Sequence, residues 1–160
     1  MKRLDPVYVN ACPNCGGSIS ASRLEKGLPC AKCLPKPVYG GVIEVAEELI
    51  ARRTLKGYVW LYDLERRFQD FKVFFQAKTG SSLWSAQASW ARRLLSIESM
   101  AIIAPTGVGK TTLLQAYASY RVKRDGWRIL YLVPTENLGR QVAERLTSLL
   151  GEEAVAYYFG

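Results

Sequence analysis

Four cysteines and one Gly-Lys-Thr run carry most of the chemistry that can be read from this chain. The cysteines fall as Cys12-Pro13-Asn14-Cys15-Gly16-Gly17 and Cys30-Ala31-Lys32-Cys33, two Cys-x2-Cys pairs separated by 14 residues. That spacing can bring four thiolates around one tetrahedral Zn²⁺. The glycines after Cys15 permit the tight turn that closes a metal knuckle. A segment this short holds too little apolar surface to fold unaided, so metal binding would supply its folding free energy. Two disulfides or a redox Cys-x2-Cys are the competing chemistries, and the spacing does not distinguish iron–sulfur ligation from zinc. No apolar secretion signal precedes the cysteines, and a reducing interior favours metal over disulfides.

The second constellation is Ala104-Pro105-Thr106-Gly107-Val108-Gly109-Lys110-Thr111-Thr112. The apolar run Met100-Ala101-Ile102-Ile103 leads into it and a periodic segment follows, the strand–loop–helix setting that a phosphate-binding loop requires. Gly107 and Gly109 let the backbone turn its N–H groups toward phosphate oxygens, and the helix start adds its dipole and unpaired donors. Lys110 is placed to reach the β- and γ-phosphates, and the Thr111 hydroxyl to join a Mg²⁺ shell. Ala104 stands where the usual pattern has its first glycine.

These residues must be positioned by the elements around them. Residues 1–38 read as the four-cysteine module, 39–80 as a helical connector and 81–160 as the first part of an α/β domain. Val42–Arg53 has apolar residues at helical spacing, with acids early and arginines late. A second helix, from about Tyr62 to Gln76, aligns Leu64, Phe68, Phe71 and Phe75 as core contacts rather than as a stacking surface for bases. Residues 84–95 place Trp84, Ala88, Ala91 and Leu95 on one stripe. Helices are expected over 110–124 and 136–150, and strands at Met100–Ile103, Arg128–Val133 and Ala154–Phe159. Strand–helix alternation of this kind implies right-handed crossovers and a parallel sheet. Three strands make an incomplete one.

The chain has 160 residues, 49% hydrophobic, with 22 basic and 14 acidic side chains for a formal charge of +8. One zinc held by four thiolates would leave about +6. A basic surface of that size suits nucleic acid, although solubility alone also accounts for it. Without histidine there is no imidazole base or pH switch. No apolar run approaches membrane-spanning length, so no membrane partner is expected.

Taken in order, these pieces resemble the amino-terminal end of reverse gyrase, a family that joins a superfamily 2 helicase-like ATPase to a type IA topoisomerase. The resemblance rests on Cys12-Pro13-Asn14-Cys15-Gly16-Gly17, Arg23-Leu24, Gly27-Leu28-Pro29-Cys30 and Cys33-Leu34-Pro35. It continues through Trp84-Ser85-Ala86-Gln87, Trp90-Ala91-Arg92-Arg93, the Ala104–Thr112 loop, and Pro134-Thr135 with Leu138 and Gln141. It implies an α/β architecture: a small zinc-ribbon module, a helical connector, and an incomplete RecA-like domain with a parallel sheet. It also implies ATP as the nucleotide, with Zn²⁺ and Mg²⁺ as cofactors. Gln87, 23 residues before Lys110, resembles the adenine-reading glutamine of related helicases, since an amide matches the N6/N7 edge. Pro134-Thr135 resembles a motif that touches a nucleic-acid backbone, with Arg140 nearby as a phosphate contact; Thr135 equally fits the N-cap of the next helix.

The favoured reading is therefore part of an ATP-dependent, positively supercoiling DNA topoisomerase of a hot-adapted cytoplasm. Its partners would be double- and single-stranded DNA and the remaining helicase and topoisomerase domains, on the same chain or a separate one. No acid among Asp125, Glu136, Glu144, Glu152 and Glu153 follows an apolar strand as a Mg²⁺-holding pair must, and no topoisomerase tyrosine is evident. No catalytic residue is assigned, and the segment alone is expected not to turn over ATP. The alternative is a standalone zinc-containing nucleic-acid-binding or structural protein with a non-hydrolytic loop, motivated by Arg23, Lys26, Lys32 and Lys36.

Overall fold

The computed structural model describes residues 4–158. The chain divides into two compact units, Met1–Arg67 and Phe68–Gly160, and the division falls inside one helix. In chain order the elements are β1 (Val7–Tyr8), β2 (Ile19–Ser20), α1 (Ala21–Leu24), α2 (Val42–Ala51), α3 (Val59–Thr79), α4 (Ser85–Leu95), α5 (Lys110–Asp125) and α6 (Glu136–Leu150), followed by a 3₁₀ turn at Glu152–Ala154.

In the first unit, β1 and β2 pair antiparallel with Val7 opposite Ser20. Ile19, Leu28, Leu34, Val45, Ala46, Leu49 and Tyr58 form one core together with Cys12, Cys30 and Cys33. Helix α2 starts where the Glu44 carboxylate accepts the Gly41 N–H at 2.7 Å, an acid placed at the positive end of the helix. It buries Val45, Ala46 and Leu49, residues spaced to share one face. The Tyr58 hydroxyl donates to the Gly27 carbonyl at 3.0 Å, so a large aromatic reaches the core without leaving its polar end unpaired.

The second unit is built on an aromatic stripe. Phe68, Phe71 and Phe75 recur at helical spacing on α3 and are all buried. Phe71 meets Tyr120 edge-on at 5.3 Å and Tyr117 at 6.3 Å, both from α5. The Tyr120 hydroxyl donates to Asp70 Oδ2 at 2.9 Å and Arg124 donates to Oδ1 at 2.9 Å, tying α3 to α5. Burial, together with the Asp70 carboxylate that accepts its proton, pushes the Tyr120 phenol up to about 12. The Arg92 guanidinium of α4 lies 3.6 Å over the Phe68 ring. Helix α5 buries Leu113, Ala116, Ala118 and Ser119 among others, because it packs against both α4 and α6. The expected stripes of α4 and α6 are shifted: Gln87 is buried where Trp84 was expected, and Gly139 and Ala143 join Val142 and Leu149.

The expected parallel sheet is absent from the described residues. Met100–Ile103 and Arg128–Val133 make no ladder, and Ala154 ends the 3₁₀ turn rather than opening a strand; Phe159 lies outside the described residues. Parallel strands are held by neighbours on their edges and by layers on both faces. Here Ile103 is 94% exposed, Leu130 82% and Leu132 80%, whereas the alternate residues Ile102, Tyr131 and Val133 are half-buried, so these segments are covered on one face and bare on the other.

Phe71 is fully buried at the centre of the second unit. Phe71→Ala should destabilise that unit by about 3–5 kcal/mol, read as a lower urea midpoint in the zinc-loaded protein. A midpoint within error of the parent would contradict the packing described.

Candidate functional site: a four-cysteine centre and a phosphate loop

The four cysteine sulfurs lie within 4.8 Å of one another. Cys15 Sγ and Cys33 Sγ each sit 3.7 Å from Cys30 Sγ. A tetrahedron with Zn–S bonds of about 2.3 Å has edges of about 3.8 Å, whereas a disulfide requires about 2.05 Å. All four thiols are free. The donor set fits a zinc ion and excludes the paired-disulfide alternative for this structure.

Local backbone geometry builds both knuckles. Gly16 takes φ 68°, letting its N–H reach the Cys12 carbonyl, while Cys12 N–H donates to the Gly17 carbonyl. In the second pair, Cys33 and Leu34 N–H both donate to the Cys30 carbonyl. Sulfur receives backbone donors as well: Cys30 N–H reaches Cys12 Sγ at 3.3 Å and Gly17 N–H reaches Cys15 Sγ at 3.4 Å. Burial raises the Cys12 thiol, but backbone donors from Cys30, Cys15 and Asn14 outweigh it and bring it down to about 7. Burial pushes Cys33 the other way, up to about 12.

Two supports around this centre were missed in the sequence. Asn14, between the first two cysteines, is 3% exposed; its Nδ2 donates to the Thr54 carbonyl at 2.8 Å and its Oδ1 accepts from Lys56 N–H at 2.7 Å. Arg23, weighed above as a nucleic-acid contact, instead donates through Nε to the Pro29 carbonyl at 2.7 Å and through Nη2 to the Leu34 carbonyl. Its guanidinium therefore brackets the second knuckle. The place of Asn14 inside the first Cys-x2-Cys pair is the sequence signal that could have pointed to it, and Arg23 lies in the Arg23-Leu24 pair that carries part of the resemblance.

In the second unit the phosphate loop precedes α5 as expected. Gly107 and Gly109 take φ 82° and 80°, and Gly109 is the N-cap of α5. A Cβ on Gly109 would be strained by its φ of 80° and would stand 2.6 Å from Gln87 Nε2, so a side chain there would displace the glutamine amide. Lys110 Nζ donates to the Ala104 and Pro105 carbonyls, both at 2.6 Å. The loop curls around its own lysine. Thr106, Thr111 and Thr112 are exposed and Val108 is half-buried.

Gln87 converges on this loop from α4. It is 6% exposed, its Nε2 donates to the Gly109 carbonyl at 3.2 Å, and its Oε1 accepts the Trp84 N–H at 3.4 Å. Gln87, Gly107, Val108, Gly109 and Thr112 line a single open surface cleft. The expected nucleic-acid residues do not line it. Pro134 and Thr135 are exposed; Thr135 caps α6 by accepting the Leu138 N–H, and Arg140 pairs with Glu136 one turn earlier at 2.6 Å.

Removing one sulfur should show the metal dependence directly. Cys30→Ser should reduce bound zinc from one per chain to a small fraction and loosen the first unit, followed by metal analysis and hydrogen exchange. Retention of full zinc and full protection would contradict the centre.

Comparison with known proteins follows the same division. Residues 4–51 match the reverse gyrase zinc finger family and residues 84–159 match the DEAD/DEAH box helicase family. The chain is 51% identical over 156 residues to reverse gyrase 2 of Aeropyrum pernix and 39% identical over 158 residues to reverse gyrase of Pyrobaculum aerophilum, covering 97% and 95% of this chain. It is 44% identical over 138 residues to reverse gyrase 2 of Aquifex aeolicus. The chain spans 13% of the length of the first two relatives and 11% of the third. No helix among the described residues is long and apolar enough to cross a membrane. A zinc finger followed by a helicase-type phosphate loop is the order found here, and the chain corresponds to the amino-terminal, zinc-finger and helicase-like ATPase segment of the reverse gyrase family.

Proposed function

We propose that this chain is the nucleotide-binding end of an ATP-dependent topoisomerase that introduces positive supercoils into DNA in the cytoplasm. The observation that carries this reading is the convergence of Gln87 on the phosphate loop across 22 residues of chain, through its bond to Gly109. In this reading Thr106, Gly107, Val108, Gly109, Lys110 and Thr112 hold the phosphates of ATP and Thr111 supplies a hydroxyl to Mg²⁺. Gln87 reads the adenine edge. The four cysteines hold zinc in a module over residues 1–38, joined by a helical connector over 39–80 to a RecA-like segment over 81–160. The exposed apolar residues of 100–103 and 128–133 support that assignment, because they suit a parallel sheet completed by further strands.

The chemistry divides accordingly. Loop N–H groups and the α5 N-terminus offer preorganised donors to phosphate oxygens. For Lys110 to act on phosphate, its ammonium must exchange the Ala104 and Pro105 carbonyls for the nucleotide. Thr135 and Arg140 would contact the DNA backbone, and that requires Arg140 to leave or share its ion pair with Glu136. The zinc module would brace the domain or help hold DNA. The partners are double- and single-stranded DNA and the remaining helicase and topoisomerase domains, which also supply the hydrolytic acids.

Lys110→Ala in the intact protein should weaken ATP binding by about tenfold or more and abolish DNA-stimulated hydrolysis, as seen by calorimetry and phosphate release. The zinc-replete 160-residue chain alone should bind ATP weakly and show no turnover. DNA-stimulated hydrolysis by that chain, lost on Lys110→Ala, would overturn the assignment of the hydrolytic acids to other domains.

A further inference from the structure

The cleft beside the phosphate loop has a second cation on its wall. Arg145 of α6 lines it together with Gly107, Val108, Gly109 and Thr112. The position follows from helix spacing, since Arg145 lies three residues after Val142 and four before Leu149. Both of those are buried, and α6 packs on α5, the helix that the loop opens. Arg145 therefore sits beside the buried stripe of α6, with its head group exposed. The neighbouring arginines are committed to acids: Arg140 to Glu136, Arg124 to Asp70 and Arg121 to Asp125. The Arg145 guanidinium has no such partner among the described residues. Lys110, by contrast, already spends its ammonium on the Ala104 and Pro105 carbonyls.

We propose that Arg145 is a phosphate-binding residue of the nucleotide cleft, a guanidinium carried in by α6 that meets the triphosphate while Lys110 is still held by its own loop. The inference deepens the nucleotide-site reading above and rests on it. A triphosphate carries more negative charge than one ammonium and one loop can neutralise, and a planar guanidinium offers paired donors that suit phosphate oxygens. Lys110 must break two hydrogen bonds before it can serve, whereas Arg145 has only water to give up. The division of labour is capture by Arg145 and close contact by Lys110 after exchange. Because Arg145 acts on phosphate, its effect does not depend on which base the nucleotide carries.

The test uses the intact zinc-replete protein with Mg²⁺, and calorimetry with ATP and inorganic tripolyphosphate. Arg145→Gln should weaken both ligands by a similar factor of about fivefold, the size set by an exposed charge pair. Arg145→Lys should recover part of the loss, and added salt should narrow the gap between parent and Arg145→Gln. DNA affinity measured without nucleotide should stay within about twofold of the parent. Unchanged affinity for both ligands in Arg145→Gln, with both lost in Lys110→Ala, would overturn the role of Arg145 and leave the nucleotide site standing. Loss of ATP with tripolyphosphate retained would also overturn it, because the side chain would then act on the nucleoside. So would a fall in nucleotide-free DNA affinity with both phosphate ligands unaffected, which would make Arg145 a DNA contact. Should Lys110→Ala retain both ligands, the nucleotide-site reading itself fails.

Discussion

Four sulfurs within 4.8 Å form a constraint that the first unit is arranged to satisfy. As thiolates they repel one another, and as thiols they present weak hydrogen-bonding groups to a buried core. A cation resolves both problems, which is why so small a segment can fold around one. The surroundings make sense in that light. Asn14 and Arg23 use their polar atoms on backbone carbonyls and amides next to the knuckles, not on solvent. Each fixes a loop that would otherwise have to be held by apolar contacts, of which a unit this size has few.

The phosphate loop faces the inverse problem. Its lysine ammonium is a positive charge that needs a partner. Lys110 finds the Ala104 and Pro105 carbonyls, and Gln87 takes the Gly109 carbonyl. The lysine is therefore satisfied by groups that a phosphate can replace. Such exchange keeps the ammonium hydrogen-bonded at either end of the process, so neither state carries a buried unpaired charge.

What could be read from sequence tracks how local the deciding interactions are. Helices α4, α5 and α6 fell close to their expected bounds because their periodicity and end signals lie within the segments themselves: Gly126 takes φ 67° just beyond α5, and Thr135 caps α6. The four cysteines and the Gly107–Thr111 run were equally plain, since spacing alone limits what they can bind. Residues whose partners lie far away in sequence were not visible. Asn14 meets Thr54 and Lys56 some 40 positions on, and Asp70 meets Tyr120 across 50. The burial of Gln87 rather than Trp84 belongs to the same class, because only the return of the loop at Gly109 decides which side of α4 turns inward.

The unpaired apolar segments extend that logic to its limit. A parallel sheet is the least local of common arrangements: each strand reaches its neighbour only through a crossover, and both faces must be covered before the strands gain from pairing. Helices α4, α5 and α6 satisfy their own backbone and pack against one another, so they persist without it. Ile103, Leu130 and Leu132 cannot do likewise, since their value lies wholly in contacts with other strands and layers. Their exposure therefore marks an apolar surface suited to pairing with further strands and to cover by a further layer.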